Sequence, residues 1–168
     1  VTGRAGEGVI EAQRAGQLDP LSPSSGTTVA YRLYYAGRLD DALREFDRAI
    51  AGAPGFASAW LGRAQTLRAL GRVEESRAAL ASAEEHAGGR SYIRAYKAYA
   101  LGADGDLAGG RAIQRELTDL AATRYVSPFH FALVAAGLGD RAEVRQQVAR
   151  LTDDGSGWAV FVSIEREL

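Results

Sequence analysis

Four glycines that close helix-like stretches, Gly37, Gly71, Gly105 and Gly139, stand 34 residues apart, and one further step back lands on Gly3. Pro20 and Pro54 keep the same spacing. Chance rarely sets five glycines in one register, so the chain is built from repeats, and any fold must accommodate them. Glycine takes the left-handed conformation that ends one helix and lets the chain turn back. Each period therefore reads as a helix of about a dozen residues, a tight turn, a second helix and a loop.

The periodicity between the glycines supports this. In "LDDALREFDRAI", Leu39, Ala42, Leu43, Phe46, Ala49 and Ile50 fall at helical spacing, while Asp40, Asp41, Arg44, Glu45, Asp47 and Arg48 take the other face. No strand pattern of comparable strength occurs. The expected interior includes Leu33, Phe46, Trp60, Leu67, Leu80, Leu101, Ile113, Phe131, Leu133 and Val148.

A 34-residue helix–turn–helix period resembles the tetratricopeptide repeat. From Pro23, the second half of a repeat carries Ala42, Phe46, Ala49 and Pro54; from Ala57, the next carries Trp60, Ala64, Leu67 and Ala83, with Gly88 in place of proline. The third is looser, with Ala98 and Leu101 but Gly110 and Gln114 where Ala and Phe are usual. Its glycines 102, 105, 109 and 110 make a poor helix entry. The resemblance implies an all-α, right-handed superhelix of antiparallel helix pairs, forming a single array over residues 1–168. It comprises the second helix of a truncated repeat at 3–22, repeats at 23–56, 57–90, 91–124 and 125–158, and a closing helix at 158–168. Trp158, Val160, Phe161 and Ile164 are expected to cover the last repeat.

A narrower likeness concerns "LDPLSP", "LYYAGRLDDAL", "YVSPFHFALVAAGLGD" and "SGWAVFVSIEREL". These resemble the repeat region C-terminal to other modules in bacterial winged-helix transcriptional regulators and serine/threonine kinases. Methionine is absent, position 1 included, so the chain is expected to be a piece of something longer or processed.

Composition narrows the function. A net charge of −1 leaves no general basic surface for phosphates or an anionic membrane. The absence of cysteine removes disulfides, thiolate metal sites and a cysteine nucleophile, and fits a reducing, cytoplasmic setting. No run approaches the roughly 20 apolar residues of a membrane span. "GRAGEG" at 3–8 has no strand before it and no Lys-Ser/Thr after it, so a phosphate loop is disfavoured. "GADGDLAGG", with Asp104 and Asp106, lacks the alternating oxygen ligands of a calcium loop and reads as a repeat turn. His86 and His130 have no partners at metal-ligand spacing, and no serine lies in a nucleophile elbow. No catalytic residue, metal or cofactor is expected.

By the resemblance, the first helix of each repeat lines a concave face through positions 2, 5, 6, 9, 12 and 13. That maps Tyr31, Tyr34 and Tyr35 from the first full repeat, and Leu61, Gln65 and Arg68 from the second. The third supplies Tyr92, Tyr96 and Tyr99, and the fourth Phe129 and His130. Tyrosine offers a large amphipathic body at low entropic cost, which suits peptide recognition. Packing between helices is the competing role for the same rings. The carboxylate clamp of chaperone-tail binders is not expected, because its positions hold Thr27, Tyr31, Gly62 and Tyr92 and the chain lacks asparagine. Only Arg68, with Arg94 and Lys97 nearby, would give a basic concave face, so nucleic acid is not an expected partner. The expectation is a non-enzymatic module that binds a protein or peptide in a tyrosine-rich groove, as the regulatory part of a larger bacterial protein. The alternatives are a ligand- or peptide-sensing domain controlling a transcriptional or kinase output, and a self-association module.

Overall fold

The computed structural model describes residues 23–153; the helix expected at 3–22 and the closing helix at 158–168 lie outside them. Eight helices make up the described residues, with no strand among them. They are α1 (Pro23–Tyr35), α2 (Leu39–Gly52), α3 (Ala57–Ala69), α4 (Val73–Glu85), α5 (Ser91–Ala103), α6 (Leu107–Ala121), α7 (Pro128–Gly137) and α8 (Arg141–Asp153). The second helices α2, α4, α6 and α8 begin at 39, 73, 107 and 141, in strict 34-residue register.

The turns show why the register holds. Gly37, Gly71, Gly105 and Gly139 have φ of 78°, 76°, 91° and 74°, in the region closed to most side chains. At each, the glycine N–H donates to the carbonyl three residues back and the next N–H to the carbonyl five back. In the first turn these are Gly37 N to Tyr34 O and Arg38 N to Leu33 O, both 2.9 Å; in the last they are Gly139 N to Ala136 O at 3.1 Å and Asp140 N to Ala135 O at 2.9 Å. This paired bonding satisfies the carbonyls that a helix end leaves orphaned and aims the chain into the second helix.

The chain divides between Gly88 and Gly89 into two compact units. In the first, α1 pairs with α2 and α3 with α4, and α3 packs mainly against α2. That contact is built around Phe46, whose ring fills the notch left by Gly62: a Cβ there would overlap the ring. The unit is tied further by Arg63 Nε to Asp47 Oδ1 at 2.7 Å and by the buried Ser76 hydroxyl donating to Ala64 O at 2.7 Å.

The second unit pairs α5 with α6 and α7 with α8, but here α7 packs mainly against α5. Two glycines cause the change. A Cβ on Gly102 of α5 would come to 2.5 Å from Gly137 O, and one on Gly137 of α7 would come to 2.5 Å from Tyr99 O. The two helix backbones touch where they cross. The glycines that promise a poor entry to α6 are also accounted for. Asp106 caps the helix by accepting from Gly109 N at 2.9 Å, and a Cβ on Gly110 would sit 3.1 Å from Ala98 O. Asp106 thus serves the turn.

Of the expected interior, Leu33, Phe46, Leu67, Leu80, Ile113 and Leu133 are buried. Trp60, Leu101, Phe131 and Val148 are only half-buried. Trp60 keeps an amphipathic edge position because its indole N–H donates to Pro54 O at 2.7 Å.

Candidate functional site

The residues mapped to the concave face fall into two sets, one in each unit. In the first unit, Tyr31 and Tyr35 lie one helical turn apart on α1, with stacked ring centroids 6.2 Å apart. Tyr31 also meets the edge of Phe46 at 5.0 Å, and its hydroxyl donates to Gln65 Oε1 on α3 at 3.2 Å. Residues 31 and 65 occupy the same position in successive repeats, so this bond links the two first helices at equivalent points. Tyr31, Tyr35 and Arg68 are half-buried and present part of their surface to solvent.

Tyr34 and Gln65 do not present theirs: each is 1% exposed. Tyr34 packs edge-on against Tyr35 at 5.2 Å. Leu61 is equally enclosed, as an aliphatic side chain between packed helices should be.

In the second unit, Tyr92 and Tyr99 are half-buried, whereas Tyr96 is fully buried. The Tyr96 ring lies 5.5 Å from that of Tyr99. Phe129 and His130, mapped as surface contacts, are interior residues at 0% and 6% exposure. The reason lies in the sequence of α7, "PFHFALVAAG". It carries no acidic residue, lysine or arginine, and a helix apolar all round is enclosed all round. Ser127 caps α7 by accepting from Phe129 N at 3.3 Å, with Pro128 in the first turn. Tyr92 then closes over Phe129 and His130 with centroid distances of 6.0 and 5.8 Å.

Burial pushes His130 down to about 4 from its ordinary value of 6.5, so the imidazole is neutral near neutral pH. The sign of the linkage follows. Well above pH 6.5 neither state is protonated and stability is unaffected. As pH falls toward 4 the unfolded chain takes up a proton that the folded one refuses. Between pH 7 and pH 5 the native state should lose about 2 kcal/mol to this residue alone. Urea denaturation of the native protein and of His130→Phe across that range should show the native protein losing about 2 kcal/mol more. Parallel curves would contradict the burial of His130.

Among the described residues, no group of three or more His, Asp and Glu side chains could hold a metal ion. No helix among them is long and apolar enough to cross a membrane. The accessible chemistry of the mapped residues is aromatic and hydroxyl, with the half-buried Arg68 the one charged side chain among them.

The glycine-turned helix pairs, their 34-residue register and the small-residue notch at Gly62 define an all-α protein of helical-hairpin repeats. Residues 33–99, from the end of α1 into α5, match a family model described as the tetratricopeptide repeat. This region is therefore a tetratricopeptide-repeat domain, of a class whose repeats generally mediate protein–protein interaction. No curated protein matches it.

Proposed function

We propose that the chain is a non-enzymatic recognition module in which a unit holds a peptide or a partner's segment against the tyrosines of its own first helix, Tyr31 and Tyr35 in the first unit or Tyr92 and Tyr99 in the second. The observation that carries this reading is the half-exposed state of Tyr31, Tyr35, Tyr92 and Tyr99 on the first helices α1 and α5. Rings held by neighbouring aromatics have little rotamer entropy left to lose on binding, and their polar edges suit peptide amides. The likeness of "LYYAGRLDDAL" and "YVSPFHFALVAAGLGD" to bacterial regulators supports placing the module as the regulatory part of a larger bacterial protein.

Peptides selected from a random library should lose about tenfold in affinity on Tyr35→Ala if they bind the first unit, and on Tyr99→Ala if they bind the second. Arg115→Ala should leave them unchanged. Selected peptides indifferent to both tyrosines would overturn the assignment. Thermal stabilisation by a small molecule, with no peptide selected, would favour ligand sensing instead.

A further inference from the structure

The second helices of the two units treat their arginines differently. In the first unit, each exposed arginine of α2 and α4 has a carboxylate one turn before it. Arg44 pairs with Asp41, Arg48 with Glu45 at 2.6 Å and Arg77 with Glu74 at 2.8 Å. Moving the last pair forward by one 34-residue step gives Ala108 and Arg111 on α6; a second step gives Ala142 and Arg145 on α8. At this register position the first repeat has Leu43, and the arginine runs through the next three while its carboxylate becomes alanine in the last two.

Arg115 lies one turn beyond Arg111, and Arg141 one turn before Arg145, so each second helix of the second unit carries two arginines on one face. All four are exposed, and among the described residues none forms an ion pair. The flanking Ala108, Ala142 and Ala149 are exposed as well and leave the guanidinium groups unobstructed. The α6 and α8 helices both pack against α7, which sets them in one unit at equivalent repeat positions.

We propose that this face of α6 and α8 binds an acidic protein segment, with carboxylates spaced one helical turn apart engaging Arg111 with Arg115 and Arg141 with Arg145. Guanidinium groups pair with carboxylates through two parallel hydrogen bonds, which fixes both distance and direction. Four cations are few for a nucleic acid, where affinity grows with the number of phosphates neutralised. Asp119, one turn beyond Arg115, and Glu116, which pairs with Arg94, would repel a continuous phosphate backbone but leave discrete carboxylates room. This surface is separate from the tyrosines of the first helices and does not depend on them.

The test uses a fluorescent alanine-rich helical peptide with glutamates at i,i+4 spacing, alongside a glutamine version, a single-stranded oligonucleotide and phosphatidylserine vesicles. Anisotropy should show binding of the glutamate peptide alone, weakening several-fold between about 50 and about 200 mM salt. Arg111→Ala/Arg145→Ala should lower that affinity about tenfold, the loss of roughly 1.4 kcal/mol. Ala108→Glu/Ala142→Glu should lower it comparably. That variant keeps both arginines, restores the pairing of the first unit and adds acidic residues in a first helical turn, where they favour the helix. Arg77→Ala should have no effect. Failure to bind the glutamate peptide, equal binding of the glutamine version, tighter binding of oligonucleotide or vesicles, or indifference to Ala108→Glu/Ala142→Glu would each overturn the proposal.

Discussion

Replacing Gly137 by valine should dismantle the second unit while leaving the first protected. At this residue α7 crosses α5, and a Cβ would come to 2.5 Å from Tyr99 O; the reciprocal atom on Gly102 would come to 2.5 Å from Gly137 O. Overpacking of side chains typically costs about 1–3 kcal/mol. Here the obstacle is backbone on both sides, which cannot rotate out of the way, so about 3 kcal/mol or more is expected. That is a large share of the roughly 5–15 kcal/mol that holds a domain. Hydrogen exchange should show lost protection in α5, α6, α7 and α8 with α1–α4 retained. Native-like protection across α5 and α7 in Gly137→Val would show that their backbones do not meet there.

Phe46→Ala should destabilise the first unit by about 3–5 kcal/mol, the usual range for emptying a buried aromatic site. The ring is fully buried, meets Tyr31 edge-on and occupies the space where Gly62 lacks a side chain. The pairing can be isolated by a double-mutant cycle. Gly62→Ala should destabilise the native protein because its methyl group collides with the Phe46 ring. In the Phe46→Ala background the same change should be neutral or stabilising, since alanine favours a helix over glycine by about 1 kcal/mol. Equal effects of Gly62→Ala in both backgrounds would separate the two residues. Urea midpoints of the four proteins supply the measurement.

The turns were readable because a single physical demand, positive φ at one residue per period, leaves glycine as its trace. The faces of the helices were harder. Mapping by repeat position treats every first helix as having one packed and one open side, and α1 follows that rule in part. Tyr31 and Tyr35 stay half-open while Tyr34, between them, is enclosed. The α7 helix does not follow it, because "PFHFALVAAG" offers no polar side to leave outside. Its own composition therefore signalled the burial of Phe129 and His130. Gly102 and Gly137 also stood in the sequence, but a glycine inside a helix reads as a weakness until the crossing backbone is seen. The loss of carboxylates at Ala108 and Ala142 is visible only when second helices are compared residue by residue in the 34-residue register. Reading only the face expected to bind passes over it.

His130, which stands out in the sequence as one of two histidines amid aromatics, now has a structural place. It lies under Tyr92, beside Phe129, and its effect belongs to stability in acid. The half-exposed tyrosines remain as the recognition surface proposed for the first helices.

The most direct test is a titration of 15N-labelled protein with a library-selected peptide, followed by amide shifts. Recognition by the first helices predicts that the largest changes gather around Tyr31 and Tyr35 or around Tyr92 and Tyr99, and vanish for Tyr35→Ala/Tyr99→Ala. Shifts confined to α2, α4, α6 and α8, unaffected by those substitutions, would contradict it.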